Sequence, residues 1–419
     1  MCNGMTYGRA VEYQVPASVY RALLHAAPSV PLIPSIKILK WSSDSVDMFN
    51  CAKLFFSPTL DELSLTLTED SSYDITRFSL LGSLPLLCPS LSCLELTGCA
   101  PHSAQTDDIS TYFSATVAGL QMLAHLQRLT FTLPNFPANV WHSLPSFSSL
   151  RHLTIHGNSA LDVANQPPAQ ETTQNGFPCL EGLELKTSRP RFAMRVFKNM
   201  WQTPLKTITL EFQSETFTLG GWRTFFLKLQ SGLLRCLQDI SITLGSRHPS
   251  GVALTMEQLR PLLDFTELKS VRLLGIDVTL DDHDITQIAF AWPHLESLLL
   301  DGSSQSPRNV TFDGLAILAQ CCRALNTLRL QFDASRPLQG DYADSVMVTA
   351  RSDRLTTLDV QSSPIDNPTL VAARLSALFP NLQVIQAQGD EKWTQVEESV
   401  KIFTAVRRQE IHRFITEIA

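Results

Sequence analysis

Apolar residues recur along this chain as apolar-x-x-apolar-x-apolar, and thirteen copies of the motif align. They begin at Ile36, Leu60, Leu91, Leu126, Leu150, Leu180, Leu205, Leu237, Leu268, Leu295, Leu325, Leu355 and Leu382, in steps of 24 to 35 residues. The alignment itself selects the first, fourth and sixth places, so those columns test nothing. The fifth column does. It reads Lys40, Ser64, Glu95, Thr130, Thr154, Glu184, Thr209, Ser241, Arg272, Leu299, Arg329, Asp359 and Gln386, polar at every place but one in a chain that is 44% apolar. Such alternation marks a strand with one buried and one wet face. A slip of one residue would bury the charges, so the pattern also sets how successive copies align.

Between copies the period lengthens. The stretches Asp107–Leu123, Gly221–Leu237 and Thr369–Phe379 carry apolar residues at helical spacing. Asp107 or Asp108 is placed to cap the first, and Asn367 to cap the third with Pro368 at its first helical position. Six copies are entered through Pro-x-apolar, at Pro34, Pro58, Pro89, Pro178, Pro293 and Pro380, where proline ends the helix and favours extended geometry before it. Strand, turn, helix and return, at a mean step near 29 residues, match the upper end of the leucine-rich-repeat period. The predicted fold is an α/β leucine-rich-repeat solenoid, a horseshoe with a parallel sheet on the concave face and helices on the convex face. Residues 31–390 form its roughly 13 repeats. Residues 1–30, with the helical segment ASVYRALLHA, form an N-terminal cap, and residues 391–419 a C-terminal capping helix. The polar run from Asn158 to Phe177 stands where a helix is due and reads as a mobile excursion loop.

Composition narrows the function. A net charge of −7 gives no general attraction to nucleic acid or anionic lipid. Nine cysteines, an odd number scattered over 419 residues, read as reduced intracellular thiols. The N-terminal sequence lacks the apolar core of a secretory signal, and no apolar run reaches the roughly 18 residues of a membrane span. The expected location is the cytoplasm or nucleus, which leaves the sequon Asn309-Val310-Thr311 unused.

Motifs that carry chemistry are missing: there is no phosphate-binding glycine loop, dinucleotide fingerprint, zinc-binding helix motif or paired Cys-x-x-Cys. Asp281 to Asp284 reads as a turn capping the next helix, and Cys321-Cys322 as packed thiols. Cys99 and Asn158 occupy the ninth repeat place, under the turn. The expectation is a non-enzyme with no cofactor and no metal. What remains is the inner face. Its fifth column carries as many cations as anions, and its third adds Glu62, Arg128, His152 and Asp239. A nucleic-acid groove would be a basic stripe with aromatics. This mosaic suits a protein partner, contacting Glu95, Arg128, His152, Glu184, Arg272, Leu299, Arg329 and Asp359 on the concave face of a monomer.

The stretches Ser18–Trp41, Asp281–Gly302, Thr311–Leu330 and Val371–Ile385, with Trp393 beyond them, resemble the fungal F-box leucine-rich-repeat proteins, particularly the large basidiomycete group. The resemblance implies substrate recognition for a cullin-type ubiquitin ligase: an F-box docks the adaptor and the repeats hold the protein to be ubiquitylated. Here 35 residues precede the first copy, without a Leu-Pro-x-Glu-like opening. The chain therefore reads as the substrate-binding half, with adaptor docking expected only once an F-box is restored upstream. The alternative is a free-standing leucine-rich-repeat inhibitor or small-GTPase regulator.

Overall fold

The computed structural model describes residues 15–26, 31–67, 76–98, 107–135, 140, 143–158, 176–188, 190–198, 200, 202–213, 217–245, 253–302, 309–335, 350–388 and 391–418. Cys99, residues 159–175 and the side chains of Asp107, Asp108 and Asn158 lie outside the described residues. The chain divides into two compact units, Met1–Leu205 with Gly232–Leu234, and Lys206–Ser231 with Arg235–Ala419.

The first unit holds β1 (Ile38–Ser43), β2 (Glu62–Leu67), β3 (Cys93–Thr97), β4 (Arg128–Asn135), β5 (His152–Asn158) and β6 (Gly182–Thr187). Each pairs in parallel with the next, in chain order. The second unit repeats the arrangement with β7 (Thr207–Phe212), β8 (Asp239–Leu244), β9 (Ser270–Leu274), β10 (Ser297–Leu300), β11 (Thr327–Arg329), β12 (Thr357–Gln361) and β13 (Val384–Ala387). The register is the one that the alternation requires. Fourth-column residues face each other from strand to strand, as in Val271, Leu298, Leu328, Leu358 and Ile385. Both units are leucine-rich-repeat solenoids.

Burial follows the columns. Every fourth-column residue is buried, and so is every sixth-column residue except Ala387 of the last strand; Ile36, opening the first copy, is half-buried. The buried face of the sheet packs on helices. Phe113, on the helix Asp107–Leu120, meets the sixth-column Phe131 with ring centroids 6.3 Å apart. In the second unit Trp222, Phe225 and Phe226 of the helix Leu219–Gly232 form one aromatic cluster. Predicted helix ends at Leu123 and Leu237 run past the observed ones at Leu120 and Gly232. Both leucines stay fully buried in the turn that follows, so the apolar period outlasts the helix. Phe177, grouped in the sequence with the excursion, is fully buried as well.

Two local devices explain the repeat. At Pro58, Pro89, Pro293 and Pro380 the chain makes a turn closed by a hydrogen bond from the leucine opening the copy. Leu60 donates to Ser57, Leu91 to Cys88, Leu295 to Trp292 and Leu382 to Phe379. Proline sits second in each turn, where its fixed φ is already correct. The strands β2 to β6 and β8 to β13 then start under a forked carbonyl: the Gln127 oxygen, for example, accepts from Arg151 and His152, and the Lys269 oxygen from Glu296 and Ser297. Strand exits use glycine. Gly98 and Gly157 hold φ of +67° and +154°, and a Cβ at either would overlap the carbonyl oxygen of the strand before, at Leu67 and Leu133. Gly157→Ala is expected to destabilise the first unit by at least about 2 kcal/mol, read from the denaturant midpoint, because conformational strain and overlap combine.

The chain's end segments pack on neighbouring coils. Tyr20 of the helix Ala17–Ala26 sets its ring edge-on to Trp41, centroids 5.2 Å apart. The helix Lys392–Ile418 buries Trp393, Val396 and Val400. The Trp393 indole donates to the Ser363 carbonyl at 2.9 Å, and Arg407 donates to the Ser376 carbonyl.

Candidate functional site

Third, fifth and seventh places of each copy face away from the helices and line the open face of the sheet. In the first unit this face is rich in hydroxyls, with Ser64, Thr66, Thr97, Thr130 and Thr154 partly accessible. Its charges are largely matched. Arg128 donates to Glu62 at 2.8 Å, reaching across β3, and both side chains stay well exposed. Glu184 pairs with His156 at 3.1 Å. Glu95 is half-buried and His152 is exposed next to Arg128 in the register. The Cys93 thiol beneath them is pushed up by burial, against the lowering field of Arg128.

In the second unit four of the residues expected from the sequence stand side by side on four strands: Arg272, Leu299, Arg329 and Asp359. Their surroundings differ. Arg329 donates from Nε to Asp359 at 2.7 Å and from Nη1 to Asp301 at 3.0 Å. Burial alone would lower its pKa; the bonds and fields of the two carboxylates outweigh that and raise it. The remaining carboxylate oxygens are taken too: Asp301 accepts from the Gly275 amide at 2.7 Å and Asp359 from the Gln361 amide at 3.0 Å. Asp359 is only 7% exposed. Arg329 and Asp359 thus belong to a closed internal cluster. Arg272 is exposed. Among the described residues it makes no hydrogen bond or ion pair, though its field reaches Asp239, whose carboxyl is raised by burial. Leu299 is half-buried beside it.

Gln361 completes the cluster. It holds φ of +52°, at a register shift in β12, and its carboxamide reaches over the short β11. There it donates to the Leu300 carbonyl at 2.7 Å and accepts from the Gly302 amide at 2.9 Å. Asp301, Gln361 and Leu274 were missed in the sequence reading. All three lie on the open face, and extending the alternation by one further place would have found them.

Residues that suggested chemistry have structural tasks. Asp281 caps the helix Asp282–Ala291 in a reciprocal box with Asp284. Asp282 reaches the next coil and accepts from the Thr311 amide at 2.8 Å, the Thr311 hydroxyl at 2.7 Å and the Gly314 amide at 3.0 Å. It thereby anchors the start of the following helix, and the Thr311 hydroxyl of the sequon is engaged there. Cys322 is buried and its thiol is pushed up to about 12 by desolvation, which leaves little thiolate; Cys321 is half-buried. No cluster of three or more metal-ligating side chains occurs among the described residues. Among them, too, no helix is long and apolar enough to cross a membrane.

No family model matches the chain. No curated protein matches it either. Solved structures similar to it include yeast Rad7 in its complex with Elc1, at 13% identity and a TM-score of 0.39, over 90% of this chain and 84% of that one. TLR13 in complex with ssRNA13 aligns at 14% identity and a TM-score of 0.46, over 84% of this chain and 47% of that one. The plant peptide hormone receptor RGFR1, in complex with RGF2, aligns at 13% identity and a TM-score of 0.35, over 89% and 61%. Strand order and column register give each unit the leucine-rich-repeat solenoid fold.

Proposed function

We propose that the chain is a non-catalytic protein-binding scaffold whose partner docks on the open face of the sheet. One observation carries this reading: the buried columns are covered by helices, while the alternate columns leave hydroxyls, a few aliphatic points and isolated charges uncovered in both units. A stable protein interface needs a surface of this kind, mostly complementary polar contact around a few anchors. Of the residues named from the sequence, Glu95, Arg128, His152, Glu184, Arg272 and Leu299 are the contact candidates; Arg329 and Asp359 support the face from within. The helices Ala17–Ala26 and Lys392–Ile418 serve as caps on the coils that they cover. In keeping with the family resemblance, the chain acts as the substrate-recognition part of an F-box ubiquitin-ligase receptor in the cytoplasm or nucleus, and adaptor docking requires an F-box joined ahead of the repeats.

The competing surface is the outer side, where Leu86 is 84% and Phe290 71% exposed. Cross-linked capture from cells separates the two. Partners of the wild-type chain should be lost with Thr154→Arg or Leu299→Arg and kept with Leu86→Arg and Phe290→Arg. The reverse pattern refutes the open-face reading.

A further inference from the structure

We infer that the anchor of the partner site is the patch Arg272, Leu274 and Leu299, and that its occupant is a protein segment presenting an apolar side chain beside a carboxylate. The inference rests on the open-face reading and sharpens it to one place and one chemistry.

Leu299 of β10 faces Arg272 of β9 directly in the register, and Leu274 follows Arg272 on the same strand and the same face. Both leucines are half-buried. Leu274 and Leu299 are diagonal neighbours on adjacent strands, close enough for their side chains to form a small apolar platform. Arg272 adjoins both, directly across from Leu299 and two residues before Leu274.

The other arginines of the described open face are already engaged, Arg128 by Glu62 and Arg329 by Asp301 and Asp359. Arg272 alone among these three keeps its hydrogen-bonding fork unused. Asp239 lies in its field without bonding to it, so an incoming carboxylate has no bonded competitor to displace. An apolar side chain seated on Leu274 and Leu299 would exclude water from the guanidinium. The charge-assisted bonds to a neighbouring carboxylate are then stronger than at a wet surface. A basic segment would meet a cation without a bonded partner here, so charge complementarity selects an acidic one.

Selection from a random peptide display library on the immobilised full chain tests this. The wild-type chain should enrich sequences with Asp or Glu next to Leu, Ile or Phe. Arg272→Glu should lose them and favour Lys or Arg in their place, and a synthesised enriched peptide should bind it at least about tenfold more weakly. Arg272 is exposed, so its thermal midpoint serves as a folding control. Failure to enrich acidic-apolar sequences, or their equal enrichment by Arg272→Glu, overturns the inference. Non-acidic peptides that are lost with Thr154→Arg would leave the open-face reading standing without this anchor. Peptides indifferent to every open-face substitution would remove both.

Discussion

Arg329→Glu is expected to destabilise the second unit by about 4 kcal/mol at neutral pH, the range for breaking a partly buried ion pair by removing one partner. Asp301 and Asp359 have side chains only 12% and 10% exposed, and Arg329 bonds to both. The substitution removes that cation and adds a third carboxylate. Arg329→Met separates the two effects, since it strands the two aspartates without adding charge. The pH dependence has a definite sign. The raised pKa of Arg329 keeps its contribution whole at any pH below the ordinary arginine range. Urea midpoints of the wild-type, Arg329→Glu and Arg329→Met chains at neutral pH check the expected loss, and losses below about 1 kcal/mol for both variants would remove the cluster from the account. Hydrogen exchange of the amides around β10 to β12 gives the local reading, because solenoid coils can open separately.

Trp292→Ala should cost about as much, about 4 kcal/mol, for a different reason. Trp292 ends the helix Asp282–Ala291 and is 2% exposed. Its indole donates to the Leu262 carbonyl of the preceding coil at 3.3 Å. Its own carbonyl accepts from Leu295 at 3.1 Å within the Pro293 turn, and from the Cys322 thiol of the following coil at 3.6 Å. The side chain thus fills the core and ties its coil to the preceding one, while the backbone carbonyl of the same residue meets the following one. Truncation leaves a cavity and removes one of two hydrogen bonds to the Leu262 oxygen, which keeps the bond from the Phe265 amide at 3.1 Å. Trp292→Phe keeps most of the volume and should lose only about 1 to 2 kcal/mol. Similar midpoint shifts for the two substitutions would show that the hydrogen bond, and not the packing, dominates.

Both expectations begin from positions visible in the sequence, though the sequence ranks them poorly. Trp292 stands three residues before Leu295, at the start of the Pro-x-Leu turn that marks entry into a buried copy. Asn367 and Pro368 marked the start of the helix Pro368–Leu378, and the Asn367 side chain does accept from the Leu370 amide at 3.1 Å. Turns, caps and alternation are legible because each is decided within a few residues by backbone geometry and by which side chains prefer water.

The sequence by itself determined the solenoid, its copies and their register, since shifting any strand by one place would put charges in the core. It could not tell Arg272 from Arg329, which occupy the same column on strands separated only by β10. The tertiary structure decided between them. Asp301 and Asp359, each about one copy away from Arg329, come within hydrogen-bond reach of its guanidinium, and Gln361 fixes them by crossing β11 to a carbonyl 61 residues earlier. Whether a charge on such a face is spent inside the fold or left for a partner depends on side-chain reach between coils and on one left-handed residue in β12, and neither is a property of local pattern.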